Sequence, residues 1–244
     1  MPLNRSIINP ALYTRVREIW FAGMPKSATS PPPAVMNRWF PRDPRAKEEF
    51  DAVCKSEFDS ALTELGPTKD KEILERDLVQ EIETQPNDVD TANTALSLIL
   101  LLDQIPRNRF RTKDTLPLVY GHYDNLARYL LARILAKEPR ADLHEMWKSK
   151  PAYRSWFYLP LEHSEDLKLH NQCLKYMDDM KNDAEGDEAA LMYIGMGRKF
   201  EEEHRTIVEQ FGRYPYRNEY MDRKNTEEEV EWLKTGQTFG VGAS

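Results

Sequence analysis

The stretch TANTALSLILLLDQ, Thr91 to Gln104, is apolar on nearly every face of the helix it would form. Such a helix cannot lie on a surface, so the rest of the chain has to surround it. Its end poses a second constraint. Asp103 falls at the C-terminus of the helix, where the macrodipole is negative and a carboxylate needs a compensating cation. The segment that follows, PRNRFR, offers Arg107, Arg109 and Arg111, and a guanidinium can give a carboxylate two parallel hydrogen bonds. Such a pair reads first as a structural buttress between helix and loop, since ion-pair networks surround buried carboxylates without any catalytic role.

The remaining punctuation is also helical. Asn9–Pro10 and Asp43–Pro44 each read as an N-cap followed by a first-turn proline. Apolar residues recur behind the first at Leu12, Val16, Ile19 and Trp20, and behind the second at Phe50, Val53, Cys54, Phe58, Ala61, Leu62 and Leu65, up to Gly66. Thr68 is the expected cap of a shorter helix through Ile73, Leu74, Leu78 and Ile82. The central helix should start near Asp90, and Tyr120 to Leu135 mark a long amphipathic one. ADLHEMW supports a short helix. After Pro160, Ser164 is the expected N-cap of a helix that buries Leu167, His170, Leu174 and Met177. From Asp187 a helix carries Tyr193, Phe200, His204, Ile207 and Phe211 to a stop at Gly212, and Thr226 with Glu229 forms a capping box.

Glycine is scarce and strand-like alternation is hard to find, so the expectation is an all-α fold. The periodicity predicts a single domain over residues 1–244 with about eight to ten helices. Residues 23–36, GMPKSATSPPPAVM, should be an exposed loop. The 244 residues, 40% of them hydrophobic, suffice for a sizeable core. A net charge of -7 argues against general nucleic-acid binding. No apolar run is long enough for a bilayer, the N-terminus has no signal-like h-region, and Cys54 and Cys173 form no disulfide framework, which together predict a soluble, cytoplasmic protein.

Two further clusters hold the candidate chemistry. In FGRYPYRN, Arg213 and Arg217 flank aromatic rings that can hold guanidinium groups by stacking. If this loop meets PRNRFR, the arginines make a site for a carboxylate or phosphate; the alternative is a set of surface ion pairs worth about 0–1 kcal/mol each. In FYLPLEHSED, capping by Ser164 places Glu165 and Asp166 in the first helical turn, where negative charge suits the dipole. Capping leaves Glu162 and His163 unexplained. His163, oriented by Glu165 or Asp166, would be a general base near neutral pH. Gln172 lies seven residues beyond Glu165, on the same expected helix face. His204 reads first as a hydrogen-bonded core histidine. No spacing ties two metal ligands to one face, so no metal is expected.

The blocks LLDQIPRNRFR, FYLPLEHSEDLKLHNQ and HRTIVEQFGRYPYRNEYMDRKNTEEEVEWL, with Trp39–Phe40, resemble the signatures of a bacterial and fungal family known as domain of unknown function 924. The resemblance implies a fold similar to tetratricopeptide-type arrays. It marks Asp103, Gln104, Arg107, Asn108 and Arg111, then His163 to Asp166 and Gln172, then His204, Phe211 to Arg213, Pro215, Arg217, Asn218 and Arg223. Tyr216 stands where the family usually has histidine. No cofactor is implied. The expected function is a small-molecule enzyme with an arginine-lined pocket for an anionic substrate. In that reading His163, Glu165, Asp166, Asp103 and His204 carry the chemistry, while Gln104, Arg107, Arg111, Gln172, Arg213, Arg217 and Asn218 bind. The alternative is a tetratricopeptide-like scaffold for a peptide or protein partner, its signature residues forming a structural polar network.

Overall fold

The computed structural model describes residues 2–239. It is 68% helical, without strands among the described residues, and forms an all-α helical array as expected. Ten α-helices of five residues or more are present among the described residues. They are α1 (Pro10–Trp20), α2 (Pro33–Trp39), α3 (Pro44–Glu64), α4 (Lys71–Glu83), α5 (Asp88–Asp103), α6 (Ile105–Arg109), α7 (Asp124–Ala136), α8 (Leu167–Asp183), α9 (Glu188–Phe211) and α10 (Glu227–Trp232). No helix among the described residues is long and apolar enough to cross a membrane.

The all-round apolar helix is α5, and Ala95 to Asp103 are buried without interruption. Asn87 caps it, accepting from Asp90 N at 2.9 Å. Helices α1, α4 and α7 pack directly against it. Ser97, the polar break in its apolar run, is satisfied by Tyr13 O at 2.9 Å, Asn93 O at 2.7 Å and the Arg17 guanidinium at 2.6 Å. One hydroxyl thus joins α1 to α5 without leaving an unpaired group in the core.

Some boundaries differ from the sequence reading for local reasons. Asp70, not Thr68, caps α4, because the carboxylate reaches Ile73 N at 3.1 Å. Residues 23–36 are not wholly an exposed loop. Pro33 opens α2, where its fixed φ and missing N–H suit a first turn. Ala28 to Pro32 are half-buried, and Thr29 O accepts from Ala152 N at 3.2 Å. Ahead of α7, Val119–Tyr123 form a π turn, so the expected single long helix changes pitch there. Helices α8 and α9 form an antiparallel hairpin, and Gly212 at φ 69° ends α9 with the left-handed cap that glycine adopts without strain.

An aromatic cluster centres on Trp156. This ring meets Trp20 edge-on at 5.0 Å and Trp39 at 4.8 Å, and donates to Ala152 O at 3.1 Å. Trp156→Ala should cost about 3–5 kcal/mol in urea unfolding, whereas Val53→Ala, on the apolar stripe of α3 yet 40% exposed, should stay within about 0.5 kcal/mol. Equal losses at both positions would contradict this packing.

Candidate functional site

Asp103 ends α5 with no exposed surface at all. Three groups answer its charge. His163 Nδ1 lies 2.8 Å from Oδ1, Gln104 Nε2 donates to Oδ2 at 2.5 Å, and the Arg107 guanidinium is 3.6 Å from Oδ1. Burial alone would raise the Asp103 carboxyl, but His163, Arg107 and Gln104 outweigh it and hold it at about 2. The carboxylate therefore takes the His163 Nδ1 proton as a hydrogen bond and leaves Nε2 as the lone-pair nitrogen. Burial lowers the His163 imidazole, Arg107 lowers it further, and Asp103 opposes both, so the ring is neutral near pH 7.

The positions of these groups follow from local structure. Pro106 breaks away from α5, and PRNR winds the short helix α6 rather than the expected open loop, which points Arg107 back over Asp103. His163 follows the turn Leu159–Glu162, and its carbonyl accepts from Arg217 Nη1 at 3.0 Å. Arg217 is buried among Tyr214, Tyr120 and Tyr216, with its guanidinium 4.3, 4.6 and 5.8 Å from their ring centroids. The two arginine segments do meet, and they meet at Asp124. Arg107 approaches its carboxylate to 2.8 Å and Arg217 to 3.8 Å, although neither oxygen receives a well-directed hydrogen bond.

A cleft of about 60 Å³ opens in front of these groups, lined by Tyr120, Arg128, His163, Glu165, Arg217, Met221 and Arg223. Glu165 is paired to Arg223 at 2.6 and 2.9 Å and accepts from Tyr214 N at 2.9 Å. Arg128 has the neutral Asn125 Oδ1 at 2.6 Å as its side-chain acceptor. Burial lowers Arg128, and Asp124 opposes that effect from one helical turn away. Around the cleft, Arg107, Arg128, Arg217 and Arg223 face Asp103, Asp124 and Glu165, leaving one positive charge in excess. Arg107 Nη2, Arg217 Nε and Arg223 Nε are buried donors without acceptors.

Several expected site residues lie elsewhere. Asp166, not Ser164, caps α8 by accepting from Lys168 N at 2.9 Å, so neither Glu165 nor Asp166 orients His163; Asp103 does. Arg111 grips Asp51 at 2.7 and 2.8 Å, and Arg213 grips Glu229 at 2.6 and 2.8 Å, both away from the cleft. Gln172 donates to Tyr176 Oη at 2.8 Å, and since Glu165 precedes α8 the two do not share the helix face expected of them. Asn218 is buried and donates to Asn225 Oδ1 at 2.7 Å. Sequence reasoning misses Asp124 and Arg128, whose i, i+4 spacing on an otherwise apolar helix face is the available signal.

Behind His163 lies a second polar layer. His204 Nδ1 lies 2.8 Å from Phe200 O and 3.4 Å from Glu162 Oε1. The buried Glu162 is pushed well above the ordinary range by burial and by Glu201 and Asp103. His170, fully buried, spans Glu201 Oε1 at 2.8 Å and Ser164 O at 2.9 Å. The His163 and His204 rings are 6.4 Å apart. No group of three or more potential ligands is placed to hold a metal ion among the described residues.

Replacing Asp103 with Asn should lower the His163 titration midpoint further, because it removes the charge that opposes burial; NMR of the ring protons reads this directly. The lowered His163 midpoint also fixes a sign. Stability from the neutral buried ring is fully present above about pH 6.5 and is lost as pH falls through the folded-state value. Arg213→Ala should speed amide exchange in α10 while leaving His163 unchanged, since its partner Glu229 belongs to that helix's capping box.

Among solved structures, the chain is similar to a protein of unknown function, ATU0120 from Agrobacterium tumefaciens, at 25% identity. The match covers 96% of this chain and 100% of that one, with a TM-score of 0.54. No curated protein matches the sequence. Residues 16–237, which carry α5, His163 and the whole arginine cleft, match the family described as "Bacterial protein of unknown function (DUF924)", and the chain belongs to it.

Proposed function

We propose that the protein is an acid–base enzyme acting on a small molecule that carries a carboxylate or phosphate. One observation carries this reading: a histidine oriented through Nδ1 by a buried carboxylate lines a cleft with surplus positive charge. Arg128, Arg217 and Arg223 bind the anionic group. His163 takes a proton from the substrate or from a water beside it, and Asp103 stabilises the imidazolium that forms. The cleft, at about 60 Å³, exceeds the roughly 10–15 Å³ that a single water requires, and takes one anionic head group with the rest of the molecule projecting outward.

A peptide-binding scaffold would use a different place. The larger groove between α4 and α7, about 710 Å³, is lined by Arg76, Gln80, Glu83, Arg133 and Lys137 and contains none of the signature residues. Peptide binding there would leave Asp103, His163 and Arg217 as a structural polar network, with no use for the cleft beside them. The reading as an acid–base enzyme accounts for all three.

Calorimetric titration with inorganic phosphate, acetate and methyl phosphate at low salt tests the binding half. Arg128→Gln should weaken the anion that binds by about tenfold or more, the worth of one charge-assisted hydrogen bond. His163→Gln should leave affinity nearly unchanged while lowering turnover of the cognate substrate by about 10²–10⁴-fold. An anion that binds equally well without the Arg128 charge would sink the assignment of this cleft.

A further inference from the structure

The arginine cleft has an aromatic neighbour. Phe239, from the segment after α10, lies flat on the imidazole of His204, with centroids 3.5 Å apart and planes 11° apart. Every other aromatic pair among the described residues is at least 4.7 Å apart. The chain accepts strain to reach this seat. Thr235 and Gly236 N–H groups both return to Trp232 O, and Phe239 then adopts φ 52°, in the left-handed region that bulky residues avoid.

The walls of the seat do not depend on its occupant. Tyr214 stands edge-on to His204 at 5.8 Å and is fixed by its hydroxyl, which donates to Glu162 O at 2.6 Å. Tyr216 forms a second wall, 6.1 Å from Phe239 and stacked on Tyr214 at 5.3 Å. His204 is held by Phe200 O from within its own helix. These three rings therefore line a niche whose own hydrogen bonds and stacking do not involve Phe239. Burial keeps His204 well below the ordinary histidine range, so its face is that of a neutral ring.

The niche and the cleft are neighbours, although no wall of the niche lines the cleft. The His204 ring is 6.4 Å from His163, which borders the cleft, and Arg217 covers both Tyr214 and Tyr216 while lining the cleft itself. The geometry points to an aromatic-ring subsite on the face of His204, so that the substrate is an aromatic carboxylate or phosphate ester whose ring takes the place of Phe239. This rests on the cleft being the anion site. The anionic group would meet Arg128 and Arg217, the ring would lie between His204 and Tyr216, and His163 would stand beside their junction.

Phe239 then acts as a resident occupant that an aromatic ligand must displace and a small anion need not. The full-length protein and its Phe239→Ala and Phe239→Leu variants should be titrated with phenyl phosphate against methyl phosphate, and benzoate against acetate. The two pairs show which anionic group is preferred. Methyl phosphate or acetate should bind all three proteins alike. Phenyl phosphate or benzoate should bind Phe239→Ala at least about tenfold more tightly than the parent, because a minor open state is populated at no more than about 10%. Phe239→Leu should fall between them. Unchanged or weakened aromatic affinity in Phe239→Ala, with Arg128-dependent binding of the small anions intact, overturns the subsite alone and leaves Phe239 as a tail anchor. Absence of binding by every anion in all three proteins overturns the cleft assignment and the subsite together.

Discussion

A single buried carboxylate organises this end of the molecule. Asp103 closes the most enclosed helix of the fold, where both the low dielectric and the helix dipole oppose its charge. An uncompensated charge in that position would cost several kcal/mol, so partners have to come to it. Arg107 arrives because Pro106 turns the chain, Gln104 because it is adjacent, and His163 from sixty residues away. The convergence of α5, α6 and the turn Leu159–Glu162 is the structural form of that electrostatic requirement. The same requirement fixes the histidine tautomer, which makes a buried charge the source of an available base.

The positive side of the site is built differently. Asp124 lies between Arg107 and Arg217 and satisfies neither completely, while three tyrosine rings keep Arg217 in place. Cation–π contact holds a guanidinium without neutralising it, unlike a carboxylate. Arg213 and Arg111 show the contrast, since each is fully engaged by a carboxylate and takes no part in the cleft. Arg128 and Arg217 are therefore distinguished from the paired arginines, Arg223 in the cleft among them, by the carboxylate grip they lack.

Features set by near neighbours along the chain are legible in the amino-acid sequence. The burial of α5 follows from its all-round apolar pattern, Asp103–Arg107 from dipole and spacing, and the stacking of Arg217 from tyrosines one and three residues away. The Asp103–His163 contact is not legible, because nothing local in either segment specifies the other. The place of Glu165 turns on a two-residue difference in the start of α8. Ser164 and Asp166 are both good caps, and choosing the second moves Glu165 from the helix into the cleft. Asp124 and Arg128 are hidden because the apolar repeat from Tyr120 to Leu135 looks like one uninterrupted helix.

The π turn at Val119–Tyr123 breaks that apparent continuity and has a wider consequence. A π turn accommodates one residue more than an α turn, and each residue in an α-helix advances the side chains by roughly 100°. The five residues of this turn thus set the angular phase of α7. Shortening it by one residue would swing Asp124 and Arg128 out of the arginine cluster together, removing one acceptor and one donor from the site while its net charge stays the same. The identity of the site is held in a backbone count as much as in its amino acids.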